Sequence, residues 1–260
     1  MKKLIYGMAL SLPVFLLWFC TSSTTVKTND TKKEAISSVI KDAHKNMAVL
    51  ELFTSQGCSS CPPADKLIGS YTSKANVIPL SFHVDYWDRL GWKDPFSSRE
   101  YSDRQRMYAS ALKSNVYTPQ LVINGQEAMI GSDANKLSTV LQKIFSATPA
   151  AALSIKKAEE HDGKINISFD VSGTVNNSLL NIAILENKIT TQVKAGENGG
   201  ATLTDYNVVR VFKTINQFDE GENNFAIDLP VSLDQKNRTL VLYLQKKDSR
   251  KITTADKMEF

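Results

Sequence analysis

The stretch Met47–Phe53, MAVLELF, is a short, largely apolar run that ends in a loop. The loop carries Cys58-Ser-Ser-Cys61, followed at once by Pro62 and Pro63. A run of this kind bounded by a turn is the pattern of a buried strand. Prolines at the following positions suit the first turn of a helix, where the missing N–H has no intrahelical partner to lose. The two cysteines are therefore pinned between a buried strand and a helix, which fixes the start of the fold around them. Two cysteines at this spacing serve equally as a redox pair, a metal clip or an inert disulfide.

The segments that follow alternate strand and helix. Pro62–Ser73 reads as a helix and Ala75–Asp85, ANVIPLSFHVD, as a second buried strand. Pro95–Ser114 reads as a helix with Tyr101, Met107, Tyr108 and Leu112 as its apolar stripe. Pro119–Asn124 is a third strand ending at Gly125, Ala128–Ile130 a short fourth, and Asp133–Phe145 an amphipathic helix capped by Ser132 or Asp133. After Thr148-Pro149 the texture changes. Ile165–Val171, Leu180–Leu185 and Thr239–Leu244 alternate apolar and polar residues, with turn sequences such as Glu197-Asn-Gly-Gly200 between strands. These patterns predict an α/β unit over 46–148 and a β-sandwich over 150–260.

The chain has 260 residues and a net charge of +4, spread along its length. That balance makes no case for nucleic acid or an anionic membrane surface as a partner. Lys2 and Lys3 precede an apolar run from Leu4 to Phe19, the pattern of an export signal over 1–20. The run is short for a spanning helix, which needs about 20 apolar residues. Cys20 follows Leu17-Trp18-Phe19, an arrangement similar to a lipoprotein lipobox, although Trp18 and Phe19 stand where small residues are usual. Cys20 is therefore either a lipid-anchor site or part of a plain signal. Residues 21–45 would form a polar tether and a leading helix. The expected location is the periplasm or cell envelope, with membrane attachment only through the signal or a lipid.

With Cys20 set aside, Cys58 and Cys61 are the remaining cysteines of the chain. A pair this close in sequence closes a very small loop, so its disulfide would add little chain-entropy stabilisation. The N–H groups and dipole at a helix start favour a thiolate, which makes Cys58 the nucleophile and Cys61 the resolving thiol. The segments ELFTSQGCSSCPPAD and VYTPQLVING resemble the site and the cis-proline segment of the thioredoxin superfamily. Together with FHVDYWDRLGWKDPF and GENGGATLTDYNVVR they resemble the bacterial family called domain of unknown function 1223. The resemblance implies a thioredoxin-like domain with a helical insertion over 86–115, followed by the C-terminal β-sandwich. It also implies a cis Thr118–Pro119 bond beside the cysteines, with the Thr118 backbone pairing to a substrate strand.

Other residues near the pair have two readings each. Leu52 holds the position, six before the first cysteine, where many thioredoxins bury an acid; the nearest acid is Glu51. Strand alternation turns Glu51 to the opposite face unless the loop adds a residue. His83 and Asp85, with Trp87 beyond them, fall on one face of the second strand. His83 is either a proton-handling or metal-ligating group with Asp85, or a buried histidine that Asp85 orients. Tyr86, Trp87, Trp92 and Phe96 form either a ligand groove or a small core of their own. Three functions follow. The first is thiol–disulfide exchange, with no cofactor, on protein or small-molecule thiols and with an envelope redox partner. The second is a copper or zinc protein using Cys58, Cys61 and His83. The third is a scaffold with a permanent disulfide.

Overall fold

The computed structural model describes Met1, Leu4 and residues 46–147, 151–173, 175–231, 233 and 236–260. Apart from Met1 and Leu4, the expected export signal with Cys20 and the 21–45 segment lie outside the described residues.

The first half runs β1 (Ala48–Thr54), α1 (Pro62–Gly69), β2 (Val77–His83), a 3-10 helix (Asp85–Leu90) and α2 (Arg99–Leu112). It continues with β3 (Gln120–Ile123), β4 (Glu127–Ile130) and α3 (Ala134–Phe145). The second half contributes β5 (Ala151–His161), β6 (Lys164–Gly173), β7 (Ser178–Gln192), β8 (Thr202–Ile215), β9 (Gly221–Asp228), β10 (Arg238–Lys246) and β11 (Ile252–Glu259). Ser98 caps α2 by accepting from the Glu100 N–H at 3.2 Å, and Asp133 caps α3 by accepting from the Lys136 N–H at 3.0 Å.

The strands of the two halves join. One mixed sheet has eight strands in the order β11-β10-β7-β8-β2-β1-β3-β4, and a second sheet holds β5-β6-β9. β1 and β2 are parallel, with Thr54 opposite His83, and β8 joins β2 in parallel at Ser81 and Val208. This overturns the expectation of a thioredoxin-like α/β domain with a helical insertion and a sandwich of its own behind it. Of the described residues, 47% lie in strands and 19% in helices, and the large sheet runs through both halves.

The reason lies in how β7 and β10 divide their side chains. Ala183, Leu185, Val241 and Tyr243 enter the core that also holds Phe53, Phe82, Tyr101 and Tyr108. Leu180, Ile182, Ile184, Leu240, Leu242 and Leu244 face the β5-β6-β9 layer instead. Both faces of these strands are covered, so they belong to the middle layer of the molecule. α2 likewise is no separate insertion, since Tyr101 and Tyr108 are core residues shared with β7, β8 and β10. Tyr86 and Trp87 pack against this same core rather than forming one of their own.

A buried cation ties the halves together. Arg104 of α2 donates to Glu51 of β1 at 2.7 Å, to the Tyr108 hydroxyl at 2.9 Å and to the Tyr243 hydroxyl of β10 at 3.0 Å. Its guanidinium also lies 4.6 Å from the Phe212 ring centre. At the far end of the sheet Gly125, with φ of 65°, sits where a Cβ would come within 2.0 Å of the Arg250 carbonyl oxygen. That close approach of the β3–β4 turn to the β10–β11 turn requires glycine.

Candidate functional site

β1 delivers the chain to the site, and the backbone closes around the cysteines by local bonds. The Cys58 N–H donates to the Ser55 carbonyl at 3.1 Å, the Gly57 N–H to Ser55 Oγ at 3.0 Å and the Gln56 N–H to Asp94 Oδ2 at 2.8 Å. The Cys61 N–H then donates to the Cys58 carbonyl at 3.2 Å, and the Ala64 and Asp65 N–H groups to the Cys61 carbonyl at 2.8 and 3.2 Å. Cys61 thus caps α1 with helical backbone angles, immediately before Pro62 and Pro63 of the first turn. Both thiols are unbonded and fully buried, at 0% exposure.

The Thr118–Pro119 bond is cis. Pro119 packs against α1 through Gly131, where a Cβ would lie 3.0 Å from Ala64 Cβ and 3.2 Å from Pro119 Cβ. Trp87 Nε1 donates to Thr118 Oγ1 at 2.8 Å, and the Thr118 hydroxyl favours the Cys58 thiolate.

The two thiols differ in acidity. Cys58 is pulled down to about 6, chiefly by the hydrogen bond from the Cys61 thiol. Burial opposes this, and the hydroxyls of Ser60 and Thr118 and the Ser60 N–H reinforce it. Ser60 Oγ lies 3.3 Å from Cys58 Sγ. Cys61 is pushed far up, first by burial, then by the hydrogen bond it gives Cys58 and by the negative charges of Cys58 and Asp65.

Behind Cys61 lies an acid that the sequence reading did not single out. Asp65 is fully enclosed and accepts from Thr54 Oγ1 at 3.1 Å through Oδ2. Its Oδ1 is buried without a hydrogen-bond partner among the described residues. Burial, then the charge of Asp205, lifts its carboxyl to about 8, so it holds a proton at neutral pH. Asp65 follows Cys61 by four residues, so the helical period alone places the two on one face. Asp205 comes from β8 and accepts from Gln56 Nε2 at 2.6 Å.

His83 is buried next to Thr54 in register, on the face that α1 covers. Its partner is Asp94 and not Asp85: His83 Nδ1 and Asp94 Oδ2 are 2.7 Å apart. Burial works against the imidazolium, but the charge and hydrogen bond of Asp94 overcome it and raise His83 to about 9. Asp85 instead accepts from Ser102 Oγ at 2.5 Å. Glu51 points to the other face of the sheet, where it belongs to Arg104 and Tyr243. Among the described residues, no three His, Cys, Asp or Glu side chains converge in a metal-binding arrangement.

A mostly-β, two-sheet protein with a buried, asymmetric dithiol at a strand–helix junction is what fold and site define. The family profile described as "Protein of unknown function (DUF1223)" matches residues 49–245, and the chain belongs to that family. Among solved structures it is similar to a protein from Agrobacterium tumefaciens, at 29% identity and a TM-score of 0.64, covering 81% of this chain and 93% of that one. It is also similar in fold to HBP35 of Porphyromonas gingivalis, at 13% identity and a TM-score of 0.62, covering 83% of this chain and 75% of that one. Among curated proteins, no significant match was found. No helix among the described residues is long and apolar enough to cross a membrane.

Proposed function

We propose that the protein carries out thiol–disulfide exchange through Cys58 and Cys61. The observation that carries this reading is the asymmetry of the pair. Ser60 Oγ lies 3.3 Å from the Cys58 sulfur, the Cys61 thiol draws Cys58 toward the thiolate, and burial holds Cys61 protonated.

The Cys58 thiolate attacks a substrate disulfide, forming one S–S bond and expelling the other substrate sulfur as a thiolate with the bonding electrons. Cys61 then attacks Cys58 Sγ in the mixed disulfide. Its proton passes to Asp65 once that carboxyl is ionised, and the second substrate thiolate leaves. The dithiol gives up two electrons and the substrate disulfide takes them; the reverse sequence oxidises a substrate dithiol. Proton transfer by a positioned carboxyl contributes about a hundredfold or more to such a step. The charged, apolar start of the chain supports export to the cell envelope, a compartment where disulfides persist.

A trapping experiment tests this assignment. Cys61→Ser protein mixed with oxidised glutathione accumulates a mixed disulfide on Cys58. Cys58→Ser protein under the same conditions leaves Cys61 free. Equal capture by both variants, or by neither, contradicts the assigned roles.

A further inference from the structure

The hairpin between β7 and β8 seats itself on the cysteine loop. Glu197 Oε2 accepts from the Ser59 N–H at 3.0 Å and from Ser59 Oγ at 2.7 Å. Asn198 Nδ2 donates to the carbonyls of Gln56 and Cys58, both at 2.9 Å. The hairpin holds its own shape, with the Gly200 N–H bonded to the Val193 carbonyl at 2.8 Å and the Gly199 N–H to the Gly196 carbonyl at 3.0 Å. Gly196, with φ of 74°, lets it pass against Trp92, where a Cβ would meet Trp92 Cβ at 3.2 Å.

These contacts occupy much of the loop's main chain. The N–H groups of Gln56, Gly57 and Cys58 are taken by Asp94 and Ser55, that of Ser59 by Glu197, and that of Cys61 by the Cys58 carbonyl. The Gln56 and Cys58 carbonyls are taken by Asn198. An extended polypeptide arriving at this side finds these main-chain groups already paired, and Cys58 is 0% exposed beneath. A polypeptide disulfide needs the hairpin displaced and its hydrogen bonds broken. A small disulfide needs only a narrow opening.

We infer that Glu197 and Asn198 are specificity-determining residues that restrict Cys58 to low-molecular-weight disulfides and thiols and hold back protein ones. This deepens the exchange reading and rests on it. The class of substrate is thus a compact disulfide whose sulfur reaches Cys58 without strand pairing on the hairpin side.

The test compares the reduced full-length protein with Glu197→Ala, Asn198→Ala and the double variant, using 2-hydroxyethyl disulfide and insulin as substrates. The protein as it stands is expected to favour the small disulfide. The double variant is expected to shift the ratio of the two rates toward insulin by about tenfold, the scale set by losing hydrogen bonds that include a charged acceptor. A ratio that does not move, or that moves away from insulin, overturns the inference. Exchange with neither substrate, by any form, overturns the underlying exchange reading instead. In that event, alkylation of Cys58 in Cys61→Ser protein reads the hairpin directly. The double variant should speed a polyethylene-glycol maleimide more than iodoacetamide, and equal acceleration of both overturns the inference.

Discussion

Thr54 Oγ1 donates to Asp65 Oδ2 at 3.1 Å, from the last residue of β1 to the first turn of α1, directly behind Cys61. That bond fixes a buried carboxyl on the face of α1 next to the resolving thiol and leaves its other oxygen without a protein partner among the described residues. Most of what the site is expected to do at different pH follows from this arrangement.

Asp65→Asn removes the proton acceptor and keeps the shape. The resolution step, measured by stopped-flow as decay of a preformed mixed disulfide, is expected to slow by about a hundredfold. In the unsubstituted protein its rate should rise with pH through about 8, as Asp65 ionises against burial and the charge of Asp205. The variant should lack that rise. His83 and Thr54 favour the ionised form, and the Cys58 charge opposes it.

The Cys58 thiolate, followed by ultraviolet absorbance, is expected to titrate near 6. Cys61→Ala should raise that midpoint the most, because the Cys61 thiol is the largest contributor. Thr118→Val should raise it less. A midpoint that ignores both substitutions would show that the donors do not act on Cys58.

Stability should fall as pH rises from 6.5 to about 9 through His83. Its folded value lies above its ordinary one, so its contribution is complete below 6.5 and is lost as the folded imidazolium deprotonates. Asp65, raised from 3.8 to about 8, adds a loss in the same direction over its own window. Groups facing His83 include Asp94, Asp205 and Asp65. Urea unfolding of His83→Gln at pH 6 and pH 9 should show a smaller difference than the unsubstituted protein.

Arg104→Met leaves Glu51 buried without its cation and is expected to cost about 3–5 kcal/mol in urea unfolding. Pairing it with Glu51→Gln should recover part of that loss. Neither change should move the Cys58 titration, since Glu51 lies on the face of the sheet opposite α1. A shifted titration would return Glu51 to the site.

Local pattern was enough to place the cysteines. The apolar run ending at Phe53 and the prolines after Cys61 each carry a short-range signal, and β1 and α1 lie beside the cysteines as that signal put them, while the cis Thr118–Pro119 bond follows the family resemblance. Cys61 sits just before the helix, and Pro62 and Pro63 take its first positions. Partnerships at long range were not legible. Asp94 displaces Asp85 as the partner of His83, because the 3-10 helix turns Asp85 toward Ser102. Asp205, Glu197 and Asn198 come from the second half, and no periodicity links them to the cysteines. The fold division failed for a related reason. Period-two strands buried on one face and on both faces look alike when the polar positions are few, so β7, β8 and β10 gave no sign that they enter the first half's sheet.

The central claim is that Cys58 and Cys61 form a reversible dithiol–disulfide couple with Cys58 as the reacting sulfur. The most direct measurement is equilibration of the protein in buffers of varied glutathione ratio, with the dithiol and disulfide forms counted after acid quenching and alkylation. The account predicts one two-electron transition, fully reversible, with a midpoint between about −120 and −300 mV. A disulfide that no glutathione ratio reduces, or a pair of thiols that no ratio oxidises, would contradict it.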